Sequence, residues 1–198
     1  MTRTVSATPV ATASRFAPRS ATPHRTRIAL ALLAAFGPAL PVLAGNVIIP
    51  TGKTGTELKV DGNTTDITTR TVNNGIGLNT FSTFEVERGN MVNLHVPGSA
   101  STLLNIVYDS PILINGIVNG LKNGSIGGKI VFADPHGMVV GASGVLNLGS
   151  LTVLTPARSF LDGLAGSGDS FDMDGVGTLL AGGAPASADG VIRIDLRA

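Results

Sequence analysis

From residue 45 onward, short apolar runs alternate with polar and turn residues, and a helical period is almost absent before residue 155. The pattern is clearest in Met91-Val92-Asn93-Leu94-His95-Val96, where apolar and polar residues take turns. That period of two marks a strand with one buried face. The same reading predicts extended segments over 47–49, 57–60, 66–69, 80–86, 91–96, 103–108, 112–118, 129–132, 138–140, 145–148, 151–154 and 191–196. Asp61-Gly62-Asn63, Asn115-Gly116, Asn119-Gly120 and Asn123-Gly124 supply tight turns where a positive φ is needed. A segment about every ten residues suits an all-β sandwich, barrel or solenoid.

Two features favour the solenoid. Asparagine recurs within the aliphatic segments, at Asn93, Asn105, Asn115 and Asn147. Stacked coils place such side chains above one another, where their amides hydrogen-bond in a ladder. The turns are also small, as a coil corner demands. A sandwich is the structural alternative. Beyond Pro156 the character changes. Thr155 as cap and Pro156 in the first turn predict a short helix, and 175–180 predicts a second helical turn. We read 157–190 as a glycine- and aspartate-rich excursion, with the strand series resuming at Val191 and stopping without a capping element.

Composition sharpens this picture. The chain has 198 residues, 26 glycines and no cysteine, so neither a disulfide nor a thiolate metal site is available. Arg3, Arg15, Arg19, Arg25 and Arg27 precede the apolar run 28–36, and Val42-Leu43-Ala44 follows it. A basic region, an apolar core and a small-residue exit make a secretory signal over 1–44. The core is shorter than the roughly 20 residues of a membrane span, so no transmembrane segment is expected to be retained. Without those five arginines the net charge falls from +1 to −4. An acidic, tryptophan-free chain argues against nucleic-acid binding.

Candidate chemistry is sparse. His95 and His136 have no second ligand at metal spacing. Asp172, Asp174 and Gly175 resemble part of a calcium loop, but Ser170 and Ala181 stand where its first and last ligands belong. Glu85 and Glu87 are alternate residues that could act as paired carboxylates, yet no convergent Asp, Arg and Lys cluster accompanies them. No serine sits in a nucleophile elbow. We therefore expect no enzyme, no cofactor and no metal.

Several stretches in order carry a resemblance. They are Gly77-Leu78-Asn79-Thr80-Phe81-Ser82-Thr83-Phe84-Glu85-Val86, Val92-Asn93-Leu94-His95-Val96-Pro97-Gly98, Ile114-Asn115-Gly116-Ile117-Val118-Asn119, Ile126-Gly127-Gly128-Lys129-Ile130-Val131-Phe132-Ala133-Asp134-Pro135-His136-Gly137 and Gly149-Ser150-Leu151-Thr152. Together they resemble the N-terminal secretion domain of two-partner secretion exoproteins, the filamentous haemagglutinin-like adhesins of Gram-negative bacteria. The resemblance implies a right-handed parallel β-helix over 45–156 with a β cap at its N-terminal end, and 191–198 as the start of a further coil. It implies export through the periplasm to the medium or cell surface, and recognition by an Omp85-type outer-membrane transporter. A host receptor or glycan is the alternative partner, and a β-helix polysaccharide lyase or hydrolase a third reading. The family's Asn-x-Phe-x-x-Phe motif falls on Asn79, Phe81 and Phe84. Its Asn-Pro-Asn-Gly turn falls on Asp134, Pro135, His136 and Gly137. With Asn115, these residues are the expected transporter-recognition or structural-turn positions.

Overall fold

The computed structural model describes residues 45–165 and 170–195. The predicted signal over 1–44 and the end of the last expected strand lie outside them. Three parallel stacks account for most of the fold, a β-solenoid of about three turns. The first stack is β5 (Ile76–Val86), β7 (Thr102–Val107), β11 (Lys129–Ala133) and β14 (Ser150–Leu154). The second is the end of β5 with β8 (Ile112–Ile114), β12 (Gly137–Val140) and β15 (Val191–Ile194). The third is β3 (Thr64–Thr69), β6 (Met91–Val96), β9 (Ile117–Lys122) and β13 (Val145–Asn147). A solenoid wins over a sandwich because each coil returns in parallel register on the last. Asn79, for example, lies opposite Asn105.

The N-terminal end is closed by antiparallel strands. β1 (Val47–Pro50) and β4 (Val72–Asn73) pair with β5, and β2 (Thr56–Asp61) pairs with β3. β10 (Ser125–Ile126) folds back on β9. β5 is the hub, because its eleven residues turn through two faces of the coil.

Burial follows the sequence pattern. Val92, Leu94 and Val96 point inward with Phe81, Phe84, Leu103, Val107, Ile130 and Phe132. A second apolar cluster lies outside the coil. Leu78, Leu104, Ile106 and Val131 face Leu161, Leu164, Phe171, Val176 and Leu179 of the excursion. β7 is therefore buried on both faces, which is why Thr102-Leu103-Leu104-Asn105-Ile106-Val107 lacks an alternating pattern.

The excursion corrects two expectations. Its first helix, α1 (Arg158–Leu164), has Ala157 rather than Thr155 at its N-cap and no side-chain cap bond. Thr155 and Pro156 are taken up elsewhere. The Thr155 carbonyl accepts from Ser187 N at 2.7 Å, and Pro156 bridges Ala186. The second helix, α2 (Met173–Leu180), begins ahead of the expected turn because Asp172 caps it. The apolar run 112–118 also divides into β8 and β9 at the Asn115-Gly116 corner.

Candidate functional site

Asn79 stands at the N-terminal mouth of the coil with no exposed surface. It has the inward parity of Phe81, as Asn105 has that of Leu103 and Val107 one coil on. Its Nδ2 donates to Asn105 Oδ1 at 3.0 Å, and Asn105 Nδ2 donates to the Val131 carbonyl at 3.3 Å. From the cap, Thr56 Oγ1 donates to Asn79 Oδ1 at 2.8 Å. Thr56 in turn meets Thr54, and Thr54 and Thr51 meet Thr80, through hydroxyl bonds of 2.6 to 3.0 Å. Asn79 thus joins a chain of cap hydroxyls to the amides inside the coil. The threonines were the part missed by reading the sequence. Their density between 51 and 56 is the one local sign of them.

Phe81 and Phe84 share β5 with Asn79 and are fully buried. Their rings meet edge to face at 5.3 Å, and Phe84 meets Phe132 the same way at 5.2 Å. Such pairs add about 0.5–1.5 kcal/mol beyond the area they bury. The motif is thus assembled as core in the folded chain.

A second amide column runs outside. Asn147 donates to Asn119, Asn119 to Asn93 and Asn93 to Asp66, at 2.8 to 3.0 Å. The expected ladder of Asn93, Asn105, Asn115 and Asn147 is thus two columns. Asn115 belongs to neither, since its carbonyl accepts from Ser143 Oγ at a corner. His95 Nε2 lies 2.8 Å from Asp66 Oδ1. The hydrogen bonds from His95 and then Asn93 hold the Asp66 carboxyl below its ordinary range. Beside them a cleft of about 600 Å³ is lined by Glu57, Leu58, Lys59, Asp66, Thr68 and His95. It borders β2, the end strand of its sheet, whose outer edge has no partner among the described strands.

Two strands on from β5 in the same stack, Asp134, Pro135, His136 and Gly137 form a tight turn between β11 and β12. Asp134 Oδ1 accepts from His136 N at 2.7 Å, and Gly137 N donates to the Asp134 carbonyl at 3.2 Å. Burial pushes the Asp134 carboxyl up to about 6, against the stabilising pull of His136. Gly137 has φ +93°, which only glycine adopts readily.

The excursion is pinned by Arg158. It donates to the Tyr108 carbonyl at 2.7 Å and pairs with Asp109 and Asp162. Lys53 and Arg158 both lie over the Tyr108 ring, at 4.7 and 5.1 Å. Burial pushes the Tyr108 hydroxyl up to about 12. Asp172, considered above as a calcium ligand, spends its Oδ1 on the amides of Asp174 and Gly175, both at 3.1 Å. Among the described residues no group of three His, Cys, Asp or Glu is placed to hold a metal ion. No described helix is long and apolar enough to cross a membrane.

These arrangements are suited to holding a chain in register and presenting strand edges. Residues 46–190 match the family model described as TPS secretion domain. No curated protein and no solved structure matches the chain.

Proposed function

The chain belongs to the TPS secretion domain family, and from that premise we propose that it is recognised in the periplasm by an Omp85-type outer-membrane transporter through the free edge of β2. The family fixes the coarser role: a targeting domain in two-partner secretion, on an exoprotein that passes through the periplasm. The observation that carries the finer reading is the edge of a six-residue strand at the capped end, unpartnered among the described strands. A free edge presents unpaired N–H and C=O groups to which another chain can add a strand. Val60 is 68% exposed there, and the neighbouring cleft offers Glu57, Lys59 and His95 to the side chains of an added strand. Asn79, Phe81 and Phe84 then act from within, by shaping the cap that presents β2.

Proline scanning tests this. Successive N–H groups of a strand point to opposite sides, so one of Lys59→Pro and Val60→Pro removes an outward donor. The expected result is that one of the two blocks transporter-dependent release while the purified protein keeps its circular dichroism and melting transition. Native-like release of both variants refutes docking at this edge. A second reading, a surface adhesin for a glycan, draws support from the Asp66–Asn93–Asn119–Asn147 column, half-buried except at Asn147, beside the same cleft. It predicts glycan-array binding by the released protein that is lost in Asp66→Ala.

A further inference from the structure

The excursion leaves the coil after Leu154 and rejoins it at Val191, and both points are held by one turn. Asp134 N donates to the Leu154 carbonyl at 3.0 Å, and Val191 N donates to the His136 carbonyl at 3.1 Å. Between the turn and the returning strand there is room for no side chain. A Cβ on residue 137 would stand 2.0 Å from the Val191 carbonyl oxygen. Inside this contact sit an acid and a base. Asp134 is fully buried, and its Oδ1 lies 3.2 Å from His136 Nδ1. Its Oδ2 is buried with no hydrogen-bond partner among the described residues.

We propose that Asp134 and His136 form a proton-operated clasp, which holds the two roots of the excursion closed while the pair keeps its proton and loosens them when the proton leaves. A proton on Oδ2 makes the acid neutral, and one on the imidazole makes an ion pair with Oδ1. Either state relieves the cost of a buried, half-satisfied carboxylate. Without the proton that cost returns, and opening the turn to water removes it.

The direction follows from linkage. The closed turn holds the Asp134 proton up to about 6, whereas a solvated carboxyl releases it near 3.8. Closure is therefore favoured in mild acid and weakens as pH rises through 6. Few other charges intervene. β8, β12 and β14 carry no ionisable side chain, Lys129 is exposed at the far end of β11, and Arg193 of β15 pairs with Asp195 at 3.1 Å.

Amide hydrogen exchange on the secreted protein, corrected for the intrinsic pH effect, tests the clasp. Protection at Val191 should be about tenfold greater near pH 5 than near pH 7.5, the ratio set by a shift from 3.8 to about 6. Val92 and Val118, deep in the coil, should not follow it. Asp134→Asn should abolish the pH dependence and stay protected at both values. His136→Asn should keep the dependence, since the backbone N–H of residue 136 still donates to Asp134 Oδ1 and only the side-chain contact is lost. Equal protection of Val191 at the two pH values overturns the proposal. So does a tenfold change that survives in Asp134→Asn, a parallel change at Val92 and Val118, or a dependence lost in His136→Asn.

Discussion

Replacing Asn79 by alanine should destabilise the protein far more than deleting one amide suggests. The side chain has no exposed surface, so water cannot substitute for it. Two hydrogen bonds disappear, one from Thr56 at 2.8 Å and one to Asn105 at 3.0 Å. Each contributes about 1 kcal/mol net. Thr56 can turn its hydroxyl toward Thr54, its neighbour at 2.8 Å. Asn105 Oδ1 accepts no second hydrogen bond among the described residues, and a stranded buried acceptor costs about 1–3 kcal/mol more. The total is about 3–5 kcal/mol, a large part of the roughly 5–15 kcal/mol that a domain possesses. With a urea slope of about 2 kcal/mol per molar, the midpoint falls by roughly 2 M. The assay is urea unfolding of the secreted protein, followed by circular dichroism, for Asn79→Ala, Asn105→Ala and the double variant. Because either single change strands its partner, the double should cost about 1–2 kcal/mol less than the two losses added together. A single loss below about 1 kcal/mol, or strict additivity, refutes the reasoning.

Two further perturbations probe other parts of the same argument. Phe84→Ala removes a fully buried ring from its edge contacts with Phe81 and Phe132, and should cost about 3–5 kcal/mol in the same urea experiment. A cost under about 1 kcal/mol would mean that the aromatic trio is not packed as described. Gly137→Ala meets both an unfavourable φ of +93° and the Val191 carbonyl. It should strip exchange protection from β15 while β6 and β9 keep theirs, and full protection of β15 would contradict the close approach.

Most strands were legible because they carry their own apolar run and turn; the two-residue β4 and β10 were not, and Asn119-Gly120, read as a turn, lies inside β9. What the sequence could not disclose is what depends on register between coils. Asn79 enters the inner column only because the chain returns 26 residues later with Asn105 above it. Asn115 leaves the ladder because its segment bends there, at the Asn115-Gly116 turn that the sequence also marks. The cap expected at Thr155 failed for a similar reason, since Ser187 and Ala186 come back from beyond the helices to occupy Thr155 and Pro156. Asp172 was considered as a calcium ligand and not as a cap, although the cap bond is local, spanning two and three residues. The burial of Asp134 was not. Leu154 and Val191 cover its turn from 20 and 57 positions away along the chain.

The outer column has a bearing on how such a chain can change over generations. Its members stand 27, 26 and 28 positions apart, from Asp66 to Asn93, Asn119 and Asn147. Gaining or losing one residue inside a strand turns every later side chain of that strand to the opposite face. It would break the amide column to which that strand contributes and bring polar groups into the interior at once. The small differences in spacing show where length can vary harmlessly, at the corners between strands. The excursion is the larger reservoir, since only its two roots are tied to the coil by backbone register. Descendants of this sequence should therefore differ in length there and at the corners, or by whole coils, while strand lengths stay constant.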